Sequence, residues 1–122
     1  MSKTIMIVDD SATMVMAVSQ SLEMGGFKVE SARDGTEALS KIQKGLKPDL
    51  LITDINMPKM DGLELIQAVR PILRFIPILV LSTESQAAKR DEAKRLGATG
   101  WLVKPVAGVD LVNVVKQVLP GA

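Results

Sequence analysis

Short apolar runs alternate with longer amphipathic stretches along the chain, five times over. The runs predict strands over Ile5–Val8, Lys28–Ser31, Leu50–Thr53, Ile78–Leu81 and Trp101–Val103. "LLIT" and "ILVL" carry no period-two alternation, which suits strands covered on both faces. Between them lie helical patterns. The last, Val109–Leu119, places Leu111, Val112, Val115, Val118 and Leu119 on one face at helical spacing. The first helix begins near Ser11, an N-cap residue type, and ends at Gly25 and Gly26. Gly45, Gly97 and Pro120 punctuate three other helix ends.

Five strand–helix units without linker, repeat or low-complexity tract predict one α/β domain spanning residues 1–122, a parallel sheet joined by right-handed crossovers. Sheets of this kind bind ligands at the carboxyl ends of their strands. The polar residues at those ends therefore matter most. Asp9 and Asp10 follow the first strand, Asp54 the third, Ser82 and Thr83 the fourth, and Lys104 with Pro105 the fifth.

Composition narrows the chemistry. The chain has 122 residues, 47% hydrophobic and 24% charged, with a net charge of +1 and no block of like charges. That excludes a bulk electrostatic footprint for nucleic acid or acidic membranes. With no cysteine there is no disulfide, thiolate nucleophile or cysteine-based zinc site, and with no histidine the usual neutral-pH base and transition-metal ligand are missing. Any metal is expected to be a hard cation held by oxygen. The N-terminal apolar stretch is too short for a signal peptide and no stretch is long enough to span a membrane, so a cytoplasmic location is expected.

Two carboxylates about 4 Å apart repel by roughly 4 kcal/mol at an effective dielectric near 20, so three in one pocket need cations. Mg²⁺ fits, since it takes carboxylate and carbonyl oxygens and favours phosphate as a further ligand. Lys104 is a second cation suited to a phosphoryl group. Taken singly, each aspartate reads as a turn or helix cap, Ser82 as a local cap and Lys104 as a solvated lysine. Complementary chemistry at four strand ends at once favours a shared site.

The segments "IVDDSATM", "DINMPKMDG", "LSTES", "GATGW" and "LVKP" resemble those of response-regulator receiver domains, in order and spacing and over essentially the whole chain. "LSTES" and "GATGW" are more similar to the single-domain chemotaxis regulators of that family than to its transcriptional members. The resemblance implies a flavodoxin-like fold with strand order 2-1-3-4-5, an order taken from the family and not from the pattern.

It further implies that Asp54 accepts a phosphoryl group from a histidine kinase. Asp10 and Asp54 would then hold Mg²⁺ through their side chains and Asn56 through its backbone carbonyl, with Asp9 acting through metal-bound water. Lys104 would pair with a phosphoryl oxygen. Ser82 would be the switch hydroxyl, since counting back from Lys104 favours it over Thr83, and Trp101 the switch aromatic. The Lys104–Pro105 bond would be cis.

The fourth helix, Gln86–Leu96, offers only Ala87, Ala88, Ala93 and Leu96 for burial, so it is expected to be weakly anchored and apt to move with phosphorylation. Its alternative is an ordinary solvated helix held by Glu–Lys pairs. Val15 stands where chemotaxis members often carry Arg, and Val106 where Phe is usual, which bears on kinase and target contacts.

The functional expectation is a monomeric phosphoacceptor, not an enzyme. It lacks an output domain and acts by docking its helix 4–strand 5–helix 5 face on a protein target, the flagellar motor switch first and a partner phosphatase also. The alternative within the family is a phosphate sink or relay intermediate. The different-class alternative is a small Mg²⁺-dependent aspartyl-phosphate phosphatase, although Asn56 stands where such enzymes carry an acid. A flavin-binding module is a poor match: the chain has one Trp, two Phe and no Tyr.

Overall fold

A computed structural model describes residues 3–119. The elements run β1 (Thr4–Val8), α1 (Ala12–Met24), β2 (Lys28–Ala32), α2 (Gly35–Gln43), β3 (Leu50–Thr53), α3 (Gly62–Val69), β4 (Ile78–Ser82), α4 (Ala87–Leu96), β5 (Gly100–Val103) and α5 (Gly108–Val118). All strands pair in parallel, in the order β2-β1-β3-β4-β5 that the resemblance implies.

β3 matches its predicted span, and the other four strands each gain one residue. Thr4 pairs with Lys28, Val8 with Ala32, Leu79 with Gly100 and Ser82 with Val103. Backbone pairing sets these ends, and hydropathy carries no trace of it. Ser82 is therefore the last residue of β4 and not the first after it.

Each sheet face has its own core. Met6, Val8, Leu51, Ile78 and Val80 pack beneath α2 and α3, with Ala38, Ile42, Leu63 and Ile66 among the helix residues that meet them. Ile5, Ile7, Leu50, Ile52, Leu79 and Leu81 pack beneath α1 and α5, against Val18, Leu22, Leu111, Val115 and Leu119. Consecutive residues of one strand thus enter opposite cores, which is why these strands show no alternation.

Ser11 caps α1, its hydroxyl accepting from the Met14 amide at 3.2 Å, and Gly25 is the C-cap. The C-terminal helix starts one residue earlier and ends one earlier than its pattern suggests, with Leu119 as C-cap; Pro120 lies outside the described residues. α3, which the hydrophobic pattern does not delimit, starts at a capping box in which Asp61 and Glu64 satisfy each other's amides.

α4 departs from expectation. Ala93 is buried and Leu96 half-buried, but Ala87 and Ala88 are exposed. At 100° per residue the inward stripe runs through Lys89, Ala93 and Leu96, and the two alanines fall off it. The helix is anchored by less apolar surface than the sequence suggests.

Gly62 lets α3 start hard against the turn after β3: a Cβ there would be driven into the Asp54 carbonyl and stand 2.9 Å from Ile55 Cα. Backbone cannot yield as a flexible side chain does. Gly62→Ala is therefore expected to cost about 1–3 kcal/mol in urea denaturation and to displace the backbone that carries Asp54.

Candidate functional site

Asp9 and Asp54 are fixed by extending the sheet ladder past its last paired residues. The Asp9 amide donates to the Ala32 carbonyl at 3.1 Å, and the Asp54 amide to the Val8 carbonyl at 2.9 Å. Thr53, fully buried, donates its hydroxyl to the Asp54 carbonyl at 2.8 Å. Adjacent strands thus deliver carboxylates to one place, and oxygens of Asp9, Asp10 and Asp54 lie within 4.8 Å of one another.

The three acids differ in what they already hold. Asp9 is 3% exposed; one oxygen accepts from the Ser11 amide at 3.0 Å and the other from Lys104 Nζ at 2.7 Å. Asp54 is 9% exposed; one oxygen accepts from the Ile55 amide at 2.6 Å and the other from Lys104 Nζ at 3.3 Å. Asp10 is exposed, and among the described residues no donor meets its carboxylate. Asn56 lies two residues beyond Asp54, exposed in the turn toward α3.

Lys104 reaches this cluster from the end of β5, and the Lys104–Pro105 bond is cis. Burial of its ammonium lowers its pKa, but the bonds and charges of Asp9 and Asp54 outweigh that and raise it above the ordinary 10.5. One ammonium against three carboxylates leaves two negative charges, the complement of a divalent ion. The donor set is all hard oxygen, with an unengaged carboxylate at the open side, and this suits Mg²⁺.

Ser82 is fully buried beside Lys104, whose amide donates to the Ser82 carbonyl at 2.9 Å, whereas Thr83 is exposed. The Ser82 hydroxyl accepts from the Glu84 amide at 3.2 Å, and the Glu84 carbonyl accepts from the half-buried Trp101 indole at 2.9 Å. Ser82 and Trp101 are therefore joined through a single residue.

The structure adds groups that the sequence did not single out. Arg33 donates to the Asp10 carbonyl at 2.9 Å while its own amide is held by Glu37 at 2.6 Å. It ties the turn after β2 to the turn that carries Asp10. Glu84 contributes its own main chain, its amide to Ser82 and its carbonyl to Trp101, while Thr53 bonds the carbonyl of its neighbour Asp54. A side chain that binds a carbonyl distant in sequence leaves no spacing signal.

The response regulator receiver domain family matches residues 5–116. Among curated relatives, the transcriptional regulatory protein PrrA of Mycobacterium tuberculosis is 36% identical over 118 residues, 97% of this chain and 50% of that protein. The alkaline phosphatase synthesis transcriptional regulatory protein PhoP of Bacillus subtilis is 34% identical over 119 residues, 98% of this chain and 49% of that protein. The chain thus spans about half the length of these relatives. Among solved structures, the Vibrio cholerae chemotaxis protein CheY4 is 44% identical, with a TM-score of 0.92 over 98% of this chain and 100% of that one. A CheY-like receiver domain protein of Methanospirillum hungatei reaches 0.93 at 28% identity, over 98% of this chain and 94% of that one.

Because the Lys104 pKa is higher folded than unfolded, its contribution to stability is complete below 10.5 and is lost as pH rises through the folded value. Lys104→Met is expected to lose this alkaline component. In chelator at neutral pH it should also be less stable by about 2 kcal/mol, short of a fully buried pair because Asp10 opens the cluster to water. Urea denaturation across pH measures both.

Proposed function

The chain belongs to the response regulator receiver domain family, and on that basis we propose that Asp54 takes a phosphoryl group from the histidine of a partner kinase. The observation that carries this reading is the ammonium of Lys104 standing between Asp9 and Asp54 while Asp10 remains open. In the transfer, an Asp54 oxygen bonds to phosphorus as the P–N bond to the donor imidazole breaks, the nitrogen keeping the electron pair. Asp10, Asp54 and the Asn56 carbonyl would hold Mg²⁺, with Asp9 acting through water, and the ion would supply charge neutralisation for the transfer. Lys104 holds a further phosphoryl oxygen. These 122 residues contain no histidine, so none of them carries phosphohistidine. It is a phosphoacceptor, not a turnover enzyme.

The Ser82 hydroxyl is the switch. Its proton is free to be donated to the phosphoryl group, and moving toward that group pulls on the Glu84 amide. The Glu84 carbonyl then shifts under the Trp101 indole, next to weakly anchored α4. A groove of about 340 Å³ between α4 and β5, walled by Ala87, Arg90, Lys94 and Trp101, is the surface that this movement reshapes. The output is chemotactic, through a flagellar motor-switch protein; the 44% identity to CheY4 across its whole length supports this. The second reading is a phosphate sink or relay intermediate; Val15 and Val106, which bear on kinase and target contacts, pack on the α1 and α5 side of the sheet. Among the described residues no helix is long and apolar enough to cross a membrane, and a cytoplasmic site of action is part of the proposal.

With Mg²⁺ and acetyl phosphate, mass spectrometry should find one added phosphoryl group, lost in Asp54→Asn, and Trp101 emission should change. Ser82→Ala should take up phosphate while Trp101 responds less. Absence of uptake by the wild type would sink the phosphoacceptor reading. For the output, the phosphorylated form should gain affinity for a motor-switch peptide; no gain favours the sink.

A further inference from the structure

At the end of the sheet where the strands begin, the connection from α3 to β4 holds two apolar side chains in water. Phe75 is 96% exposed and Ile72 47% exposed. The connection is not loose. The Arg70 guanidinium Nη1 lies 2.8–3.2 Å from the carbonyls of Leu73, Arg74 and Ile76, and Nη2 donates to the Gly97 carbonyl. Gly97 closes α4 at φ 118 and sits so near Arg70 that a Cβ would stand 2.7 Å from Nε. One side chain thus fixes the loop's backbone and joins it to the foot of α4. Beside Phe75 runs a groove of about 400 Å³, walled by Leu46, Pro48, Ile72 and Ile76. Exposed Lys47 and Arg74 stand on its rim, and the one acid in it, Asp49, already accepts from the Thr4 amide at 2.8 Å.

Charge is biased between the two ends of the molecule, although Arg33, Lys59 and Lys104 stand at the acidic end and Glu23 and Asp49 at the other. The acids Asp9, Asp10, Asp34, Asp54, Asp61 and Glu84 occupy the turns at the far end. Lys44 closes α2, Lys94 and Arg95 the last turn of α4, and Lys116 that of α5, all at the near end. Helix dipoles account for basic residues in last turns. They do not account for Lys47 and Arg74 in connections, nor for a phenylalanine held in water by a buttressed loop.

We propose that this end is a docking surface for an acidic protein segment that carries apolar side chains, with Phe75 as the anchor and Lys47 and Arg74 as the flanking charges. A rigid aromatic on an ordered loop loses little entropy on binding, which is the usual character of an interface hot spot. The concave wall beside Phe75 suits the side chains of a polypeptide better than a bilayer surface. A second copy pairing through this same surface would bring Lys47 and Arg74 against like charges. The inference is independent of the phosphoryl chemistry at the other end.

The test uses a fluorescein-labelled synthetic helix-forming peptide of Glu, Leu and Phe, titrated with the full chain, beside a counterpart with Lys in place of Glu. The acidic peptide should bind, less tightly as salt rises, and the basic one should not. Phe75→Ala should weaken binding about tenfold or more. Lys47→Glu combined with Arg74→Glu should do the same. Both variants should take up phosphate at Asp54 as the wild type does, which reports an intact fold. Equal binding by wild type and Phe75→Ala overturns the proposal, as does binding of the basic peptide. Without peptide binding, Phe75-dependent sedimentation with phosphatidylglycerol vesicles assigns the surface to lipid, and a dimer that Phe75→Ala dissolves assigns it to a second copy; either result overturns the proposal.

Discussion

Three carboxylates gathered at the ends of two buried strands repel one another, and the Lys104 ammonium holds two of them, Asp9 and Asp54. β1 and β3 are neighbours, so Asp9 and Asp54 cannot move apart without breaking the amide bonds that continue the ladder to Ala32 and Val8. The sheet sets the separation and the lysine sets the charge. Lys104 reaches both acids because β5 ends beside β4, which ends beside β3. The strand order is therefore part of the electrostatics, and the excess of two negative charges is a property of the fold.

The same lysine joins the cluster to the opposite sheet edge. Its side chain faces the acids while its amide is bonded to the carbonyl of Ser82. From Ser82 the path through Glu84 to Trp101 uses one hydrogen bond at each step. It ends at α4, the helix with one buried residue. Elements with little buried apolar surface open and shift at low cost. A change in charge at Asp54 thus meets a stiff sheet on one side and a compliant helix on the other, and the helix is the part free to respond.

Much of this was legible in the sequence because burial leaves a pattern. β3 reads residue for residue, and the alternation of strands with amphipathic stretches yields five units in the right places. The strand ends place Asp9, Asp10, Asp54, Ser82 and Lys104 together. What escaped was set by backbone geometry or by contacts to carbonyls. Four strands run one residue further because their amides find partners there. The exposure of Ala87 and Ala88 follows from the rotation of α4, which four small apolar residues do not fix. Arg33 and Arg70 reach the carbonyls of Asp10 and Gly97, far off in sequence, and Glu84 serves through its own main chain, which any residue can supply.

The net charge of +1 suggests an electrostatically bland molecule, and the placement of its charges contradicts that. Each βα turn needs an N-cap or carries a site carboxylate, so acids collect where the strands end; Asp34 and Asp61 are there as caps, Asp9 and Asp54 as site residues. The last turns of α2, α4 and α5 carry bases, so lysines and arginines collect where the strands begin. A parallel sheet of βα units turns these local preferences into a charge separation along the whole domain. On the proposed reading, an anionic phosphodonor would be repelled by the acidic end until cations offset the carboxylates. Lys104 alone does not offset them, and the two charges left over are the complement of a divalent ion, produced by the same geometry that gathers the acids.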